Sequence, residues 1–318
     1  MVASQRFCLV LAAVCMAAVP TVAQTSGAPS KQYRAQVIYT AGVAQSYEIT
    51  EQTTATRWYS DSSQKNYDRT VTYFTTIRCI ESMDGIARVV VNVDSMRYRF
   101  MADSRLVEYD SEKDVSPKNF SDINAYIGPL NRPFTLTVSP YGEVSALEGE
   151  QVEYWRDYLA DNSSGIDSVT YLMWTQAISD ENLLHYGDLQ KRVVPGLTTG
   201  KDSTWNLTMT LRVDGVTYKG RTKATLTDVD GGLLTMTVSD TLQAVAPQPL
   251  RVYGVPYVVQ LMEGHADVSH TLQMSRTGSI QQVDNVASTR WKGRVLMEEF
   301  TQRVRTTTTW KLKGQYQW

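Results

Sequence analysis

From Trp205 onward apolar and polar residues alternate, with Trp205, Leu207, Met209, Leu211 and Val213 set against Asn206, Thr208, Thr210 and Arg212. A period of two belongs to a β-strand, whose successive side chains point to opposite faces, so this segment predicts a strand with one face in the core and one in water. Val89, Val91 and Val93 repeat the pattern, as do Met96, Tyr98 and Phe100, then Phe134, Leu136 and Val138, and later Leu234, Met236 and Val238. Strands buried on both faces, as in parallel sheets, would read as unbroken apolar runs, so the sheet is expected to be antiparallel. Asp84-Gly85 and Asp230-Gly231 are the expected hairpin turns, because their residue types tolerate positive φ.

Between the strand-rich halves the period changes. Val152, Trp155 and Leu159 fall on one helical face, and Val169, Leu172, Met173 and Ala177 on another. Ser179 is placed to cap a short third helix running through Leu183 and Leu184, and Pro195-Gly196 closes the helical stretch. The expected fold is therefore α+β and predominantly antiparallel β, with two related curved β units joined by a helical connector.

The relation between the halves rests on matched positions. Val71-Thr72-Tyr73 corresponds to Val216-Thr217-Tyr218, and the same offset carries Val89, Val91 and Val93 onto Leu234, Met236 and Val238. Phe134 to Val144 likewise matches His270 to Ile280, with Ser139 and Gly142 facing Ser275 and Gly278. The expected organisation is a signal segment at 1–23, a flexible lead-in at 24–32, a first β unit at 33–147, the connector at 148–196 and a second β unit at 197–318.

The N-terminus reads as an export signal: Arg6 supplies a positive charge, Phe7 to Val19 is apolar apart from Cys8 and Cys15, and Thr21-Val22-Ala23 offers a small-residue cleavage site before Gln24. Val14 is large where a lipoprotein signal has Gly, Ala or Ser before its cysteine, so ordinary cleavage near Ala23 is expected, giving a periplasmic or secreted product. Cys79 is then the single remaining cysteine, which excludes an internal disulfide, and stability must come from burial. The chain carries 31 Lys and Arg against 33 Asp and Glu, a net charge of -2 that gives no footprint for nucleic acid.

The segment Val194-Pro195-Gly196-Leu197-Thr198-Thr199-Gly200-Lys201-Asp202-Ser203-Thr204-Trp205 resembles the proline, glycine and Ser/Thr-Trp signature of a family of exported bacterial β-rich proteins of unknown function. There too the signature follows a helical connector and opens a second β half. Tyr109-Asp110-Ser111, followed by Phe134 to Val144, is similar to the end of that family's first half. The resemblance implies an exported β-rich architecture and supplies no catalytic residue.

Candidate chemistry is sparse. Glu263, His265, Asp267 and His270 form the densest group of metal-ligand types, but His270 has the opposite strand parity and nothing completes a shell. Asp228-Val229-Asp230-Gly231-Gly232 lacks the glutamate that closes a calcium loop, since Ser239 stands at that position, and Glu81 to Gly85 is its first-half counterpart; both read as hairpin turns. His185, His265 and His270 are the only histidines, Cys79 has no partner motif, and no Gly-x-Ser-x-Gly occurs, so nucleophilic catalysis has no anchor. The triplets at Asn119, Asn162 and Asn206 read as chance products of a Ser- and Thr-rich chain. No catalytic, cofactor-binding or metal residue is assigned, and no cofactor is expected.

Trp310, Leu312, Gly314, Tyr316 and Trp318 alternate to an aromatic end, a pattern like the last strand of outer-membrane barrels. Charges on other expected strands, at Arg97, Arg99, Lys219 and Lys223, oppose a lipid-facing wall. The reading that results is an exported non-enzymatic binding or structural protein associated with the cell envelope. Its curved apolar faces would hold a hydrophobic small molecule, a lipid or a protein segment. An outer-membrane barrel is the alternative, and an enzyme of unrecognised type the third.

Overall fold

The computed structural model describes residues 31–103, 105–116, 120–187 and 193–318. The signal segment, residues 24–30 of the lead-in and Asn119 lie outside the described residues. In chain order the fold begins with β1 (Gln32–Arg34), β2 (Val43–Tyr59), β3 (Gln64–Met83), β4 (Ile86–Ala102) and β5 (Arg105–Asp110). Helix α1 (Asn124–Ile127) precedes β6 (Phe134–Val138) and β7 (Val144–Glu148), and the connector folds as α2 (Glu150–Asp161), α3 (Ser168–Ala177) and α4 (Asp180–Gly187). The second half holds β8 (Thr198–Gly200), β9 (Thr204–Val213), β10 (Val216–Asp230), β11 (Leu233–Ala244), β12 (Gln248–Leu250), β13 (Val259–Ser275), β14 (Ile280–Val295) and β15 (Glu298–Gln317).

The fold is predominantly antiparallel β, as the period-two pattern predicts. The strands of both halves lie in one 13-stranded sheet of order β7-β6-β4-β3-β2-β15-β14-β13-β11-β10-β9, with β5 beside β4 and β12 beside β13, while β1 and β8 form their own ladder. Each half is a meander, and the two abut where β2 pairs with β15 along its whole length, from Val43 opposite Gln317 to Tyr59 opposite Phe300.

Val89 to Val93 and Met96 to Phe100 prove to be one strand. Asp94 is skipped in the register between β3 and β4, and this bulge moves the buried parity from Val93 to Met96. The expected turn at Asp230-Gly231 is displaced by one residue: Asp230 ends β10, and Gly231 and Gly232, both at positive φ, make the turn. Asp84-Gly85 forms its turn as expected, with φ of 53° and 80°.

A sheet with one apolar face must cover that face, and this one turns it inward. Val89, Val91, Leu136, Leu234, Met236 and Leu272 are fully buried in a single core shared by both halves. Outward positions carry charge: Arg97 pairs with Asp110 at 3.4 Å, Arg99 with Glu108 at 3.6 Å and Lys292 with Glu263 at 2.9 Å across neighbouring strands. Trp310, at the start of the aromatic C-terminal series, is buried on the inward face. The series is therefore first of all a core stripe, and only Tyr316 and Trp318 at its end are exposed.

The connector helices begin as their sequences require. The Asp167 carboxylate accepts from the backbone N–H groups of Val169 and Thr170, and the Ser179 hydroxyl accepts from Asn182 N–H at 3.3 Å. Arg212 of β9 donates to Gln176 O and Ser179 Oγ, both at 3.5 Å, which ties the helices to the second half.

Trp205, expected as a core anchor, is half-buried at the start of β9 and donates its indole N–H to Val193 O at 2.9 Å. The matched glycines share a backbone state, Gly142 at φ 76° and Gly278 at φ 85°. Their turns also share hydrogen bonds: Gly142 N–H donates to Ser139 O at 2.9 Å, and Gly278 N–H to Ser275 O at 3.0 Å.

Candidate functional site

Among the described residues, the interior contains a cluster of buried charge that a core of hydrocarbon does not need. Arg57, Arg69 and Gln302 stand at strand positions whose neighbours in the same parity are apolar, and all three are buried. Arg69 on β3 reaches the β9–β10 turn, where its Nη2 lies 2.6 Å from Asp214 Oδ1. Its Nη1 lies 3.4 Å from Asp122 Oδ2, in the short 3₁₀ turn before α1. Asp122 also pairs with Arg251, which follows β12, and accepts from the Tyr98 hydroxyl at 2.7 Å. Asp214 accepts from the Tyr67 hydroxyl and, at 3.2 Å, from Gln302 Nε2; Gln302 Oε1 in turn accepts from Arg57 Nε at 2.8 Å.

Aromatic rings enclose this cluster. The Arg69 guanidinium lies 4.6 Å from the centre of the Tyr126 ring, and Arg57 lies 5.1 Å from that of Phe300. Tyr67 stacks on Phe100 at 5.6 Å, and Tyr253 packs against both rings. Burial works to raise the pKa of Asp122, but the guanidinium groups of Arg251 and Arg69 and the Tyr98 hydroxyl outweigh it and hold the carboxyl at about 2. Burial pushes the Tyr67 and Tyr126 phenols well above their ordinary value, so both remain protonated donors.

Beside the cluster lies a cavity of about 80 Å³. Glu51 from β2, Gln176 from α3, Asn182 from α4, Arg212 from β9, Asp214 from the turn and Arg251 line it. Two carboxylates and two guanidinium groups therefore face one space from elements of both halves and the connector. The lining holds no His, Cys or Ser. It has the means to bind and orient a polar ligand.

The residues singled out in the sequence are placed elsewhere. Glu263, His265 and Asp267 share the exposed face of β13, where Glu263 pairs with Lys292 and Asp267 accepts from Thr241 Oγ1 at 2.7 Å. His270 is buried on the opposite face. Among the described residues no group of His, Cys, Asp and Glu is arranged to hold a metal ion. Asp228 pairs with Lys201 at 3.3 Å beside the Gly231-Gly232 turn. Cys79 is buried in β3, its thiol pKa raised by burial, and it donates to Glu81 O. His185 lies in α4, and its side chain is outside the described residues.

Sequence reasoning missed Arg69, Asp122, Asp214 and Arg251. Two signals were present: Arg57 and Arg69 interrupt apolar parities, and Asp214-Gly215 is a turn dipeptide of the same kind as Asp84-Gly85, with φ of 48° and 85°.

No family model matches the chain, and no curated protein does. Among solved structures, a lipovitellin structure concerned with lipid–protein interactions is 9% identical, covering 88% of this chain and 26% of that one, with a TM-score of 0.43. This chain thus spans about a quarter of the lipovitellin chain it matches. An outer-membrane channel from Pseudomonas putida F1 is 6% identical over 87% of this chain and 97% of its own, with a TM-score of 0.25. Salmonella typhi OmpF in complex with daunomycin is 9% identical over 83% and 97%, with a TM-score of 0.22. Likenesses this distant carry no argument about function.

Proposed function

We propose that the protein is an exported, non-catalytic binding protein of the cell envelope, and that its ligand is small, polar and without net charge, a zwitterion being the simplest case. One observation carries this reading: the buried Arg69–Asp122–Arg251 and Arg69–Asp214 pairs border a cavity that Glu51, Asp214, Arg212 and Arg251 line. A buried ion network contributes little net stability compared with well-packed apolar residues of the same volume, because desolvation cancels most of the attraction. Its presence in an otherwise apolar core supports a use in recognition, and balanced charges around the space suit a ligand that carries both signs or neither.

On the inward face Val89, Leu136, Met236 and Leu272 are buried among the protein's own side chains, which favours a polar ligand at the charged cavity over a hydrophobic one held on that face. An outer-membrane barrel is the weaker alternative, since the outward positions Arg97, Arg99, Lys219, Lys223, Arg303 and Arg305 are exposed where a lipid-facing wall requires apolar side chains. The matched turns at Gly142 and Gly278 support reading the halves as related units, and the resemblance at Pro195 to Trp205 supports export.

Thermal unfolding in the presence of amino acids, betaines, polyols and dicarboxylates, with native mass spectrometry of the purified protein, tests the site. A zwitterion or polyol that raises the midpoint of the native protein, and fails to do so in Arg212→Ala, is the expected result. A co-purified lipid with no response to any polar compound would return the ligand to the hydrophobic class.

A further inference from the structure

The outward face of the sheet carries its cations in two ways. Arg97, Arg99, Arg294 and Lys313 each meet a carboxylate on a neighbouring strand. Lys219, Arg290 and Arg305 do not: among the described residues none of the three makes an ion pair. The strand register gathers these cations. Lys219 of β10 lies opposite Gln243 of β11, Gln243 opposite His265 of β13, His265 opposite Arg290 of β14, and Arg290 opposite Arg303 of β15. All five side chains are exposed. With neighbouring strands about 4.8 Å apart, this row crosses roughly 19 Å of the face. It continues to Thr210 of β9 on one side and Thr56 of β2 on the other, so no carboxylate interrupts it across seven strands.

The adjacent rows do not supply the missing negative charge. On one side Arg305 stands opposite Ser288 and Ser288 opposite Asp267, whose carboxylate accepts from Thr241 Oγ1 at 2.7 Å. On the other side Glu263 is paired with Lys292 at 2.9 Å. A groove of about 310 Å³ lies over the middle of the row, lined by Gln243, Glu263, His265, Arg290 and Lys292. Arg290 and Arg303 carry the same charge directly opposite each other, an arrangement that weakens a cross-strand pair. An anion laid across the row would turn that repulsion into attraction.

We propose that this row is a second binding site, separate from the charged cavity, for an extended acidic polysaccharide whose carboxylate or sulfate groups lie against Lys219, Arg290, Arg303 and Arg305. Charge complementarity selects an anionic chain, since guanidinium groups match paired anionic oxygens. The length of the row selects repeated charges over a single small anion. Its polar side chains select a sugar chain, because Gln243, Thr56, Thr210 and Ser288 stand among the cations and exchange hydrogen bonds with hydroxyl groups. A nucleic-acid strand is held through rings on which its bases stack. The row presents no Phe, Tyr or Trp, and the neighbouring Trp58 is half-buried, with the Arg303 guanidinium 5.3 Å from its ring centre. The chain as a whole has a net charge of -2, so the attraction is local to this row.

The test is titration calorimetry of the protein with polygalacturonate, dextran sulfate and neutral dextran at low and high salt. Both acidic chains should bind, neutral dextran should not, and added salt should weaken binding, because exposed contacts are screened. R290S/R303S should lower the affinity roughly tenfold, the combined worth of two exposed contacts and their neighbours. R97S/R99S removes two paired cations from the same face at β4 and should change affinity by less than about twofold. Without ligand, R290S/R303S should melt at or above the native midpoint, since it relieves the opposed charges. Equal losses in the two double variants would reduce the effect to overall charge and overturn the site, as would equal binding of neutral dextran or no binding of either acidic chain. Tighter binding of a poly-dT strand or of phosphatidylglycerol vesicles than of either polysaccharide would overturn a sugar chain as the occupant. A clearly lower midpoint for R290S/R303S would assign the two arginines to the fold instead.

Discussion

Both ends of the sheet leave apolar hairpin tips in water, Leu296 and Met297 at one and Met83 and Ile86 at the other, but only one of them also buries charge. Near the β9–β10 turn, Arg57, Arg69 and Asp122 are withdrawn from water, whereas around the β3–β4 turn Met83, Ile86 and Trp318 are left in it. The strands linking the ends are the same: β3 carries Arg69 near its start and Met83 as its last residue. Alternation therefore determines which way a side chain points, and the neighbours that close over each end determine what that direction costs. The 3₁₀ turn holding Asp122 and the segment holding Arg251 close the first end, while nothing in the described chain covers the tips of the second.

The comparison breaks most readily at Asp122. Asp122→Ala leaves two buried guanidinium groups without their shared carboxylate and should cost roughly 3 to 5 kcal/mol in urea unfolding. A loss under about 1 kcal/mol would mean that water reaches the cluster. At the other end the largest effect should come from Gly278→Val. Its φ of 85° is unfavourable for any Cβ, and a Cβ there would lie 2.7 Å from both Gln36 O and Ile38 Cβ. A cost of about 2 to 3 kcal/mol is expected, and Gly142→Val in the matched turn provides the parallel measurement. Equal melting midpoints for Gly278→Val and the native protein would show that the turn does not depend on its docking against Gln36 and Ile38.

Acid sharpens the contrast. Asp122 has its pKa lowered on folding to about 2 from 3.8, so it contributes stability that is complete above its unfolded value. That contribution, on the order of 2 kcal/mol, is lost as pH falls from about 4 through about 2. Urea midpoints recorded across this range should drop in the native protein, and the part due to Asp122 should be missing from Asp122→Asn. Identical slopes for the two proteins would assign acid sensitivity to other carboxylates. The smallest effect on stability belongs to Met83→Asp, at a solvated tip, where denaturant melts should move by less than about 0.5 kcal/mol. A larger loss would place Met83 in a contact that its exposure does not suggest.

Most of the strand content was legible because its cause is local. Trp205 to Val213, Val89 to Phe100 and Leu234 to Val238 carry period-two patterns, and the backbone obeys them. The connector helices follow from their periodicity and from the capping side chain of Ser179, and Asp84-Gly85 follows from the freedom of Gly and Asp at positive φ. Gly142 and Gly278 were recognisable as turn residues for the same reason.

The rest depends on which distant segments meet. Nothing in the local pattern states that β2 pairs with β15 to merge both halves into one sheet, because any two amphipathic strands offer compatible edges. Nor does a lone Arg69 between Tyr67 and Val71 declare whether its charge ends in solvent or against Asp122 and Asp214, 53 and 145 residues further along the chain. Local sequence determined direction and turn, since these follow from backbone sterics and side-chain periodicity. Tertiary structure alone decided partnership, since a buried charge is tolerable only where folding brings its counter-charge within reach.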